Sequence, residues 1–312
     1  MKKIDLIIEE GIKSERADIY ISRALSTLEY KELDNIPYTR SAIQKLISSG
    51  NVFKNGKEIY KPSTLLRESD VINIKIPPAQ VMSTEPQEIP LNIVYQDSDI
   101  AVINKHRGIA THPAAGNYSG TIVNALMYHL KDLSSINGEI RPGIVHRLDK
   151  NTTGLMVVAK NNNAHIKIAN QFSKRIVKKK YIALLDGVLK EDEGEIVAPI
   201  GRCPKNRKKM TVVHNGKIAK TQFKVIDKFN RFSLVEFTLI TGRTHQIRVH
   251  ASYMHHPIVG DKQYGGSNAS KLSGQLLHAS FLEFIHPTTN KTISFNSDIP
   301  QDFKDFIKKI SC

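Results

Sequence analysis

An aspartate with basic neighbours is the first feature of the sequence that could do chemistry. Asp149 stands in the segment GIVHRLDKNTTG, between Arg147 and Lys150, and an apolar stretch follows. Nearby cations favour the ionised form of a carboxylate. An ionised carboxylate in a loop before a strand can act as a nucleophile or as a base. From this segment alone the alternative stays open that Asp149 caps a turn or pairs with a structural arginine.

A second candidate segment is TGRTHQIRVH, residues 241–250, which follows a predicted strand at 232–240. Arg243, Ile247 and His250 fall at helical spacing, so we expect a strand-to-helix turn that presents cations and backbone N–H groups to an anion. Arg243 could bind a phosphate or pair with Asp149 through its guanidinium group. The alternative is a surface helix whose histidines are hydrogen-bonded within the fold.

Two basic runs could bind phosphate groups. In the first, Lys178, Lys179 and Lys180 precede Tyr181 at the start of an apolar strand. Basic side chains of this kind can meet phosphates while an aromatic ring stacks on a base. The second is a predicted loop, RCPKNRKKM, without an acidic residue, whose cations are Arg202, Lys205, Arg207, Lys208 and Lys209. Solvated surface charge, with Tyr181 in the core, is the alternative for both runs.

Positive charge is concentrated in the stretch that contains all of these segments. The 312 residues include 45 Lys and Arg against 30 Asp and Glu, a net charge of +15. Residues 141–250 hold 23 basic and 8 acidic side chains, whereas residues 1–78 have a net charge of only +2. An excess of this size points to a polyanionic partner such as nucleic acid, and its position points to the middle of the chain.

The composition and the absence of certain motifs exclude several other classes of protein. Cys203 and Cys312 form no disulfide framework and no zinc-binding CxxC pair, and no HxxxH or HExxH pair occurs among the 12 histidines. No GxGxxG follows a predicted strand and no P-loop is present, so we expect neither a cofactor nor a metal. The N-terminal apolar run is too short for a signal peptide, and no 18-residue apolar run occurs. We therefore predict a cytoplasmic protein that does not bind membranes.

The pattern of elements predicts a small N-terminal α+β unit. Helical spacing covers residues 16–28 and a second helix that Thr39 could cap and Gly50 could end. A turn at Asn55–Gly56 and a strand at 71–76 follow. The proline-containing stretch PPAQVMSTEPQEIP has no clear periodicity. We accordingly predict a domain at 12–78, a linker at 79–90 and a second domain at 91–312.

The second domain is predicted to contain many strands and few helices. The expected helices are 121–131, 163–175 and 302–310, and the expected strands are 99–105, 154–160, 179–186, 194–201, 220–228, 232–240 and 276–285. Because strands and helices do not alternate regularly, this pattern favours an α+β fold with a mixed or largely antiparallel sheet.

Taken together, these motifs resemble those of the RluA-type pseudouridine synthases, especially the RluD-like branch that modifies large-subunit ribosomal RNA. The matching segments are HRLDKNTTGLMVVAK, KKYIAL, TGRTHQIRVH, HPIVGDKQYGG at 256–266 and THPAAGNYSGTIVNAL at 111–126. Residues 16–76 resemble the small RNA-binding S4 domain, whose core corresponds to RADIYISRAL and YTRSAIQKLISSGNVFKNGK. The resemblance covers nearly the whole chain and keeps the order of the motifs.

The resemblance implies an enzyme that isomerises uridine to pseudouridine without a cofactor. It gives Asp149 the role of nucleophile at C1′ or base at C2′, and it makes Arg243 the partner that keeps Asp149 ionised. Tyr181 would lie against the uracil and could take the C5 proton. Arg147 would fill the space that the flipped base leaves. Besides Arg147 and the two basic runs, the expected RNA-binding residues are Lys150, Arg40 and Lys45.

Other functions remain open at this stage. The same chemistry could act on transfer RNA, because related enzymes share these motifs and differ in target. A non-catalytic RNA-binding or ribosome-assembly factor could use the S4-like unit and the basic middle of the chain. A glycosidase is a weaker alternative, since it usually needs two carboxylates and these motifs supply one.

Overall fold

The computed structural model describes residues 2–26, 40–76, 85–114, 116–134, 141–267 and 271–311. Contacts divide the chain into two units, Met1–Val81 and Met82–Cys312. The division falls within the stretch predicted as a linker. The N-terminal unit starts earlier than the predicted residue 12, because a strand at Lys2–Ile7 pairs with the strand Val71–Ile76.

The N-terminal unit combines two helices with short antiparallel strands. Its elements are, in chain order, β1 (Lys2–Ile7), β2 (Glu15–Arg16), α1 (Ala17–Ala24), α2 (Arg40–Ser48), β3 (Val52–Lys54), β4 (Lys57–Glu58), β5 (Leu65–Leu66) and β6 (Val71–Ile76). Four strands form a sheet in the order β1-β6-β3-β4, and β2 pairs with β5. Apolar side chains from both helices and the sheet share one core, in which Ile21, Ile47 and Ile74 have no exposed surface.

Two local predictions in this unit are confirmed by the backbone. Asn55 and Gly56 join β3 to β4 with φ values of 49° and 78°, the left-handed conformation that a tight hairpin turn requires. Gly50 follows α2 with a φ of 69°, as expected for a glycine after a helix end. Thr39, the predicted cap of α2, lies outside the described residues.

The C-terminal unit is built around one large sheet. Its strands are β7 (Asn92–Gln96), β8 (Ile100–Lys105), β9 (Thr153–Ala159), β10 (Lys178–Asp186), β11 (Glu193–Val197), β12 (Ile200–Arg202), β13 (Met210–Val212), β14 (Lys220–Lys228), β15 (Phe232–Leu239), β16 (Leu277–Ile285) and β17 (Thr292–Asn296). Its helices are α3 (Ile122–His129), α4 (Asn162–Ser173), α5 (Gln246–Tyr253) and α6 (Gln301–Ile310).

Nine of these strands form the main sheet, in the order β11-β14-β15-β10-β16-β9-β8-β7, with β17 also paired to β16. Only β16 and β9 run parallel, and every other described pair in the sheet is antiparallel. The α+β class with a mixed, largely antiparallel sheet is therefore confirmed. β12 and β13 form a separate hairpin.

Helices cover both faces of the sheet because successive strand residues point to opposite sides. Tyr181, Ala183 and Leu185 of β10 share a core with residues of α3 and α5. Leu184 of the same strand packs instead with Phe303 of α6. The strands β8 and β9 are also buried on both faces. One face contributes to the core with α3 and α5, and the opposite face packs on α4. This two-sided burial explains why every residue of β9 is buried.

Gly154 makes the one parallel contact in the sheet possible. It pairs with Ala279 of β16, and its φ is 112°. A Cβ atom at this position would lie 2.3 Å from the carbonyl oxygen of Ala279. Only glycine allows this approach, which accounts for the glycine in the NTTG turn after Asp149.

The predicted elements of the C-terminal unit agree with the structure to within one or two residues at most ends. The predicted strand at 194–201 is wrong as a single element, because it divides into β11 and β12. The strands β7, β13 and β17 were not predicted. Within the described part of the chain, none of the helices combines the length and the apolar character that a membrane crossing requires.

Candidate active site

A cavity of about 510 Å³ opens in the C-terminal unit between the loop before β9, the start of β10 and the turn before α5. Its wall contains Asp149, Tyr181, Arg243 and Arg248. The fold thus brings the three residues predicted to be catalytic into one cavity, although they stand far apart in the sequence. A second cavity of about 280 Å³ also borders Asp149 and Arg248, so their pair lies between two open spaces.

The loop that contains Asp149 is fixed through its backbone. The hydroxyl of Thr111 donates a hydrogen bond to the carbonyl of Leu148 at 2.9 Å, and Arg107 Nη1 donates to the carbonyl of Asn151 at 2.9 Å. Both donors come from the segment after β8, which is a neighbour of β9 in the sheet. The Asp149 side chain is therefore presented from a rigid support, as a reacting carboxylate requires.

A fully buried lysine completes this support. Lys105 Nζ donates to the carbonyls of His106, Ile109 and Lys150 at 2.9, 3.0 and 2.9 Å. Three acceptors require three N–H donors, which a lysine has only in its ammonium form. Burial lowers the pKa of Lys105 to about 7, and the charge of Asp149 opposes this shift. No local pattern predicts this role, because a lysine at the end of a strand is normally exposed.

The charged partner of Asp149 is Arg248, which the sequence analysis did not select. Arg248 Nη1 donates to Asp149 Oδ2 at 2.9 Å. Its Nε and Nη2 atoms bind the two carboxylate oxygens of Asp261 at 2.7 and 3.0 Å. Burial works against the charge of Arg248, but the hydrogen bonds and charges of Asp261 and Asp149 raise its pKa above the ordinary value. A permanently charged guanidinium therefore faces Asp149.

The predicted pairing of Arg243 with Asp149 is wrong in this structure. The Nε atom of Arg243 instead donates to the carbonyl of Ile218 at 3.1 Å. The expected strand-to-helix turn is present between β15 and α5, but α5 begins only at Gln246, so Arg243 lies in the turn and not in the helix. Within α5, Arg248 is the arginine that points at the carboxylate. Arg243 remains at the wall of the larger cavity, where its cationic group can meet an anionic ligand.

Gln246 holds the turn before α5 in shape. Its side-chain oxygen accepts hydrogen bonds from Thr241 Oγ1 and from the backbone N–H of Arg243, at 2.8 and 2.9 Å. Its side-chain nitrogen donates to the carbonyl of Lys220 at 3.0 Å. His245, directly before Gln246 in the chain, has a left-handed backbone with a φ of 57°. This backbone places His245 Nε2 3.8 Å from Asp149 Oδ1.

Tyr181 lines the cavity and is only 7% exposed. The pairing of β10 with β16 shifts register between Lys180 and Tyr181, and such irregularities redirect side chains next to active sites. Burial, reinforced by the charge of Asp149, raises the pKa of Tyr181 well above its ordinary value. The side chain therefore faces the cavity as a neutral phenol, which offers a ring face and an O–H group and accepts a proton only weakly.

The other histidines of the motifs serve the structure. His146 Nε2 accepts a hydrogen bond from the backbone N–H of Val157, and its ring stacks on Phe172. Burial and the charge of Lys179 lower the pKa of His146 to about 3, so it is neutral at physiological pH. His250 is wholly buried and contacts Thr221 and the carbonyl of Ala198. These contacts support the loop and α5 rather than a ligand.

The three lysines before Tyr181 have different surroundings. Lys178 pairs with Glu283 at 2.8 Å, and Lys180 pairs with Glu236 at 3.0 Å. Lys179 instead lines the larger cavity, and burial lowers its pKa. Of the predicted phosphate-binding run, Lys179 is therefore the member that faces the site.

The basic loop at 203–209 connects β12 to β13. Its neighbour Arg202 donates to the carbonyl of Arg207, which stabilises the loop from within. Among the described residues, no acidic partner is found for any of its predicted phosphate-binding cations, Arg202, Lys205, Arg207, Lys208 and Lys209. Four of them are exposed, and Lys209 Nζ lies 5.1 Å from the ring centroid of Tyr264. These uncompensated charges suit a polyanionic ligand.

Two further predicted RNA-binding residues lie beside Asp149. Arg147 is exposed and borders both cavities. Lys150 is exposed at the second cavity, where its Nζ donates to Asn117 Oδ1 at 2.8 Å. Both cations flank the carboxylate without pairing with it.

In the N-terminal unit, Arg40 has a structural partner that the sequence analysis did not foresee. Its Nε lies 2.9 Å from Asp18 Oδ2, and Asp18 also accepts hydrogen bonds from Arg16 and Gln44. Lys45, in contrast, is exposed on α2. Lys45 is thus available to a ligand, whereas Arg40 is engaged in holding α2 to α1.

An acidic cluster away from the cavity is explained by hydrogen bonds within the fold. Asp97, Asp99 and His286 have ligand atoms within 4.8 Å of one another. His286 Nε2 meets Asp97 Oδ2 at 2.8 Å, and its Nδ1 accepts from the backbone N–H groups of Thr288 and Thr289. Both ring nitrogens are therefore used, and the arrangement ties β7 to the end of β16.

Comparisons with known proteins agree on one family. Residues 99–253 match the family model described as RNA pseudouridylate synthase. The chain is 41% identical over 310 residues to an uncharacterized RNA pseudouridine synthase of Bacillus subtilis (strain 168), with 99% of each chain covered. It is also 41% identical over 284 residues to the ribosomal large subunit pseudouridine synthase D of Zymomonas mobilis subsp. mobilis, covering 87% of this chain and 89% of the relative. The solved structure of human RNA pseudouridylate synthase domain containing 1 superposes with a TM-score of 0.56 at 26% identity, covering 76% of this chain and 98% of that one.

Proposed function

Because the chain belongs to the RNA pseudouridine synthase family, and so isomerises uridine in RNA, we propose that its substrate is large-subunit ribosomal RNA and that Asp149 is its catalytic carboxylate. Relatives named ribosomal large subunit pseudouridine synthase D, 36–41% identical over 85–94% of this chain, support this choice of RNA. Transfer RNA is the alternative that the experiment below distinguishes.

The observation that carries the catalytic proposal is the pairing of Asp149 with Arg248 in a cavity that also contains Tyr181. The reaction breaks the N1–C1′ bond, turns the uracil and joins C5 to C1′. The proton on C5 is lost and N1 gains one, so the atoms balance without a cofactor. An ionised carboxylate is needed at the ribose, either as a nucleophile at C1′ or as a base at C2′. Arg248 keeps Asp149 in that form and fixes its direction.

Other residues of the cavity would bind and orient the uracil base. A uracil inside the cavity can lie against the ring of Tyr181, whose neutral O–H is a hydrogen-bond donor. Because Tyr181 holds its proton tightly, the C5 proton would leave to another acceptor, and Asp149 is the carboxylate within reach of the same space. The base must first leave the RNA stack to enter. Arg147, exposed at the edge of both cavities, is placed to occupy the vacated position.

Electrostatic attraction of the RNA would come mainly from the C-terminal unit. Residues 141–250 hold a net charge of +15, and the loop at 203–209 adds cations without acidic partners. We assign to the S4-like N-terminal unit, predicted at 12–78, the placement of the RNA rather than its general attraction. Exposed Lys45 on α2 is the candidate contact there. We also infer that the enzyme acts in the cytoplasm, in line with two cysteines that form no disulfide framework.

Mapping of pseudouridine in ribosomal and transfer RNA tests the proposed substrate. A strain without the gene should lack pseudouridine at one or more positions of the large-subunit RNA. The wild-type gene should restore these positions and the Asp149→Asn gene should not. Loss confined to transfer RNA would overturn the proposed substrate, and restoration by Asp149→Asn would overturn the catalytic assignment.

A further inference from the structure

The basic loop at 203–209 is joined to the catalytic pair by two adjacent side chains, Gln263 and Tyr264. The side-chain nitrogen of Gln263 donates to the carbonyl of Lys208 in the loop at 2.7 Å. Its side-chain oxygen accepts from Arg248 Nη2 at 3.1 Å. A single amide therefore contacts both the backbone of the loop and the guanidinium that holds Asp149.

Tyr264 makes a parallel connection. Its hydroxyl accepts a hydrogen bond from the backbone N–H of Met210, at the end of the loop, and meets His245 Nδ1 at 2.8 Å. The other ring nitrogen of His245 lies 3.8 Å from Asp149 Oδ1. Tyr264 is 4% exposed, and its ring lies 4.8 Å from the guanidinium carbon of Arg248. The loop thus reaches both oxygens of the carboxylate, one through Gln263 and Arg248, the other through Tyr264 and His245.

One buried carboxylate fixes the two connecting residues together. Asp261 Oδ1 accepts the backbone N–H groups of Gln263 and Tyr264 at 3.1 and 3.2 Å, and both oxygens of Asp261 bind Arg248. Since Asp261 is only 1% exposed, this assembly has little freedom to move as separate parts. A displacement of the loop backbone at Lys208 must therefore be absorbed at the Gln263 amide or passed on to Arg248.

The loop is the part of this assembly that a polyanion would move. Lys205, Arg207 and Lys208 are exposed and have no acidic partner among the described residues. Like charges in one short loop repel each other, and phosphate groups would draw them together. Binding at the loop would in this way act on the position of its carbonyl at Lys208.

From this geometry we propose that Gln263 is a positioning residue, which couples RNA bound at the 203–209 loop to the Arg248–Asp149 pair. The inference rests on the proposed function and deepens it, because it assigns the RNA a part in aligning the catalytic carboxylate. Gln263 touches no reacting atom. Gln263 contributes by keeping the Arg248 guanidinium hydrogen-bonded to Asp149 when RNA occupies the loop.

The test measures single-turnover pseudouridine formation at saturating RNA, and RNA affinity, using the full-length protein and ribosomal RNA from a strain without the enzyme. Gln263→Met keeps the length of the side chain without its polar atoms, and Gln263→Asn keeps the amide but is too short to bridge both partners. Each variant should slow the saturated rate about tenfold while the Kd for RNA stays within about twofold. Gln222→Leu is the matched control, because Gln222 is an exposed glutamine whose side chain donates a hydrogen bond to Glu195 at 3.2 Å, and it should keep the wild-type rate.

A double-mutant cycle separates coupling from a merely structural role. Lys205→Ala combined with Arg207→Ala should weaken RNA binding and slow the saturated rate in the wild-type background. In the Gln263→Met background the same loop substitutions should weaken binding and leave the saturated rate unchanged. Equal slowing in both backgrounds, or a wild-type rate in both Gln263 variants, would overturn the proposal. Absence of pseudouridine with the wild-type protein would instead reject the proposed function.

Discussion

Arg248 binds two carboxylates at once, Asp261 through Nε and Nη2 and Asp149 through Nη1 at 2.9 Å. The first contact is bidentate and almost completely buried, so it fixes the plane of the guanidinium before any ligand arrives. The second contact then orients Asp149 toward the cavity. Asp261 thus helps to determine the direction of the Asp149 carboxylate through their shared partner Arg248.

Arg248→Lys should abolish most activity although the positive charge remains. An ammonium group cannot make the bidentate contact with Asp261 and reach Asp149 in the same geometry. We expect the single-turnover rate at saturating RNA to fall about a hundredfold. Arg243→Lys is the control, because Arg243 does not contact Asp149, and its rate should stay close to wild type. A larger loss in Arg243→Lys than in Arg248→Lys would restore the pairing predicted from the sequence.

Lys105→Met should destabilise the C-terminal unit by about 3 kcal/mol, because three buried carbonyls lose their donor. Urea unfolding followed by circular dichroism measures the change.

The contribution of Lys105 to the free energy of unfolding should also depend on pH in a definite direction. The folded-state pKa of Lys105 is about 7, below the ordinary value of 10.5, so the unfolded chain binds more protons between these values. The contribution of Lys105 to stability therefore rises with pH from about 7 to about 10.5. If wild type and Lys105→Met gain equally in stability over this range, the pKa of Lys105 is not lowered in the folded protein.

Tyr181→Phe should keep RNA affinity and slow the chemical step. The ring face remains in the cavity, whereas the O–H donor is lost. Since burial and the charge of Asp149 raise the pKa of Tyr181, the wild-type rate should show no change of slope from tyrosine ionisation between about pH 7 and pH 9.5. Single-turnover rates across this range provide the check. An increase in rate with pH that disappears in Tyr181→Phe would instead identify a tyrosinate base.

Arg40→Ala should weaken the fold of the N-terminal unit more than RNA binding. The buried Asp18 loses one of its cationic partners, while the exposed Lys45 is untouched. Burial raises the pKa of Asp18, but its hydrogen bonds from Arg16, Gln44 and Arg40 outweigh this effect and leave its pKa below the ordinary 3.8. The stabilisation by these partners is present above the unfolded pKa and is lost as the pH falls below it.

The control for this prediction is Lys45→Ala. It should reduce RNA affinity and leave the thermal midpoint unchanged. A normal midpoint with weakened RNA binding in Arg40→Ala would show that Arg40 is a ligand-binding residue after all.

The sequence predicted the fold well where patterning is local. Alternating apolar residues and turn glycines located most strands and helices, because each of these signals depends on a few neighbouring residues. It failed where partners come from distant segments. β1 is a short strand whose role depends on β6, and the choice between Arg243 and Arg248 depends on where α5 begins. Both arginines stand in one motif, but Arg243 lies in the turn before α5 and Arg248 lies within the helix, where it reaches Asp149.

Asp261 and Gln263 illustrate the same limit within the site. The motif HPIVGDKQYGG resembles a family signature, but no local pattern reveals that its aspartate, Asp261, binds Arg248 of α5. The burial of Lys105 could not be predicted from the sequence for a different reason. A buried ammonium is costly unless it is fully hydrogen-bonded, and its three acceptors are backbone carbonyls, which every sequence contains.

The most direct test of the role of Asp149 is the Asp149→Asn variant, measured with saturating ribosomal RNA from a strain that lacks the enzyme. The amide keeps the size of the side chain and removes the charge that Arg248 stabilises. We expect no detectable pseudouridine formation and a Kd for RNA close to wild type. Pseudouridine formation at the wild-type rate by Asp149→Asn would show that Asp149 is not the catalytic carboxylate.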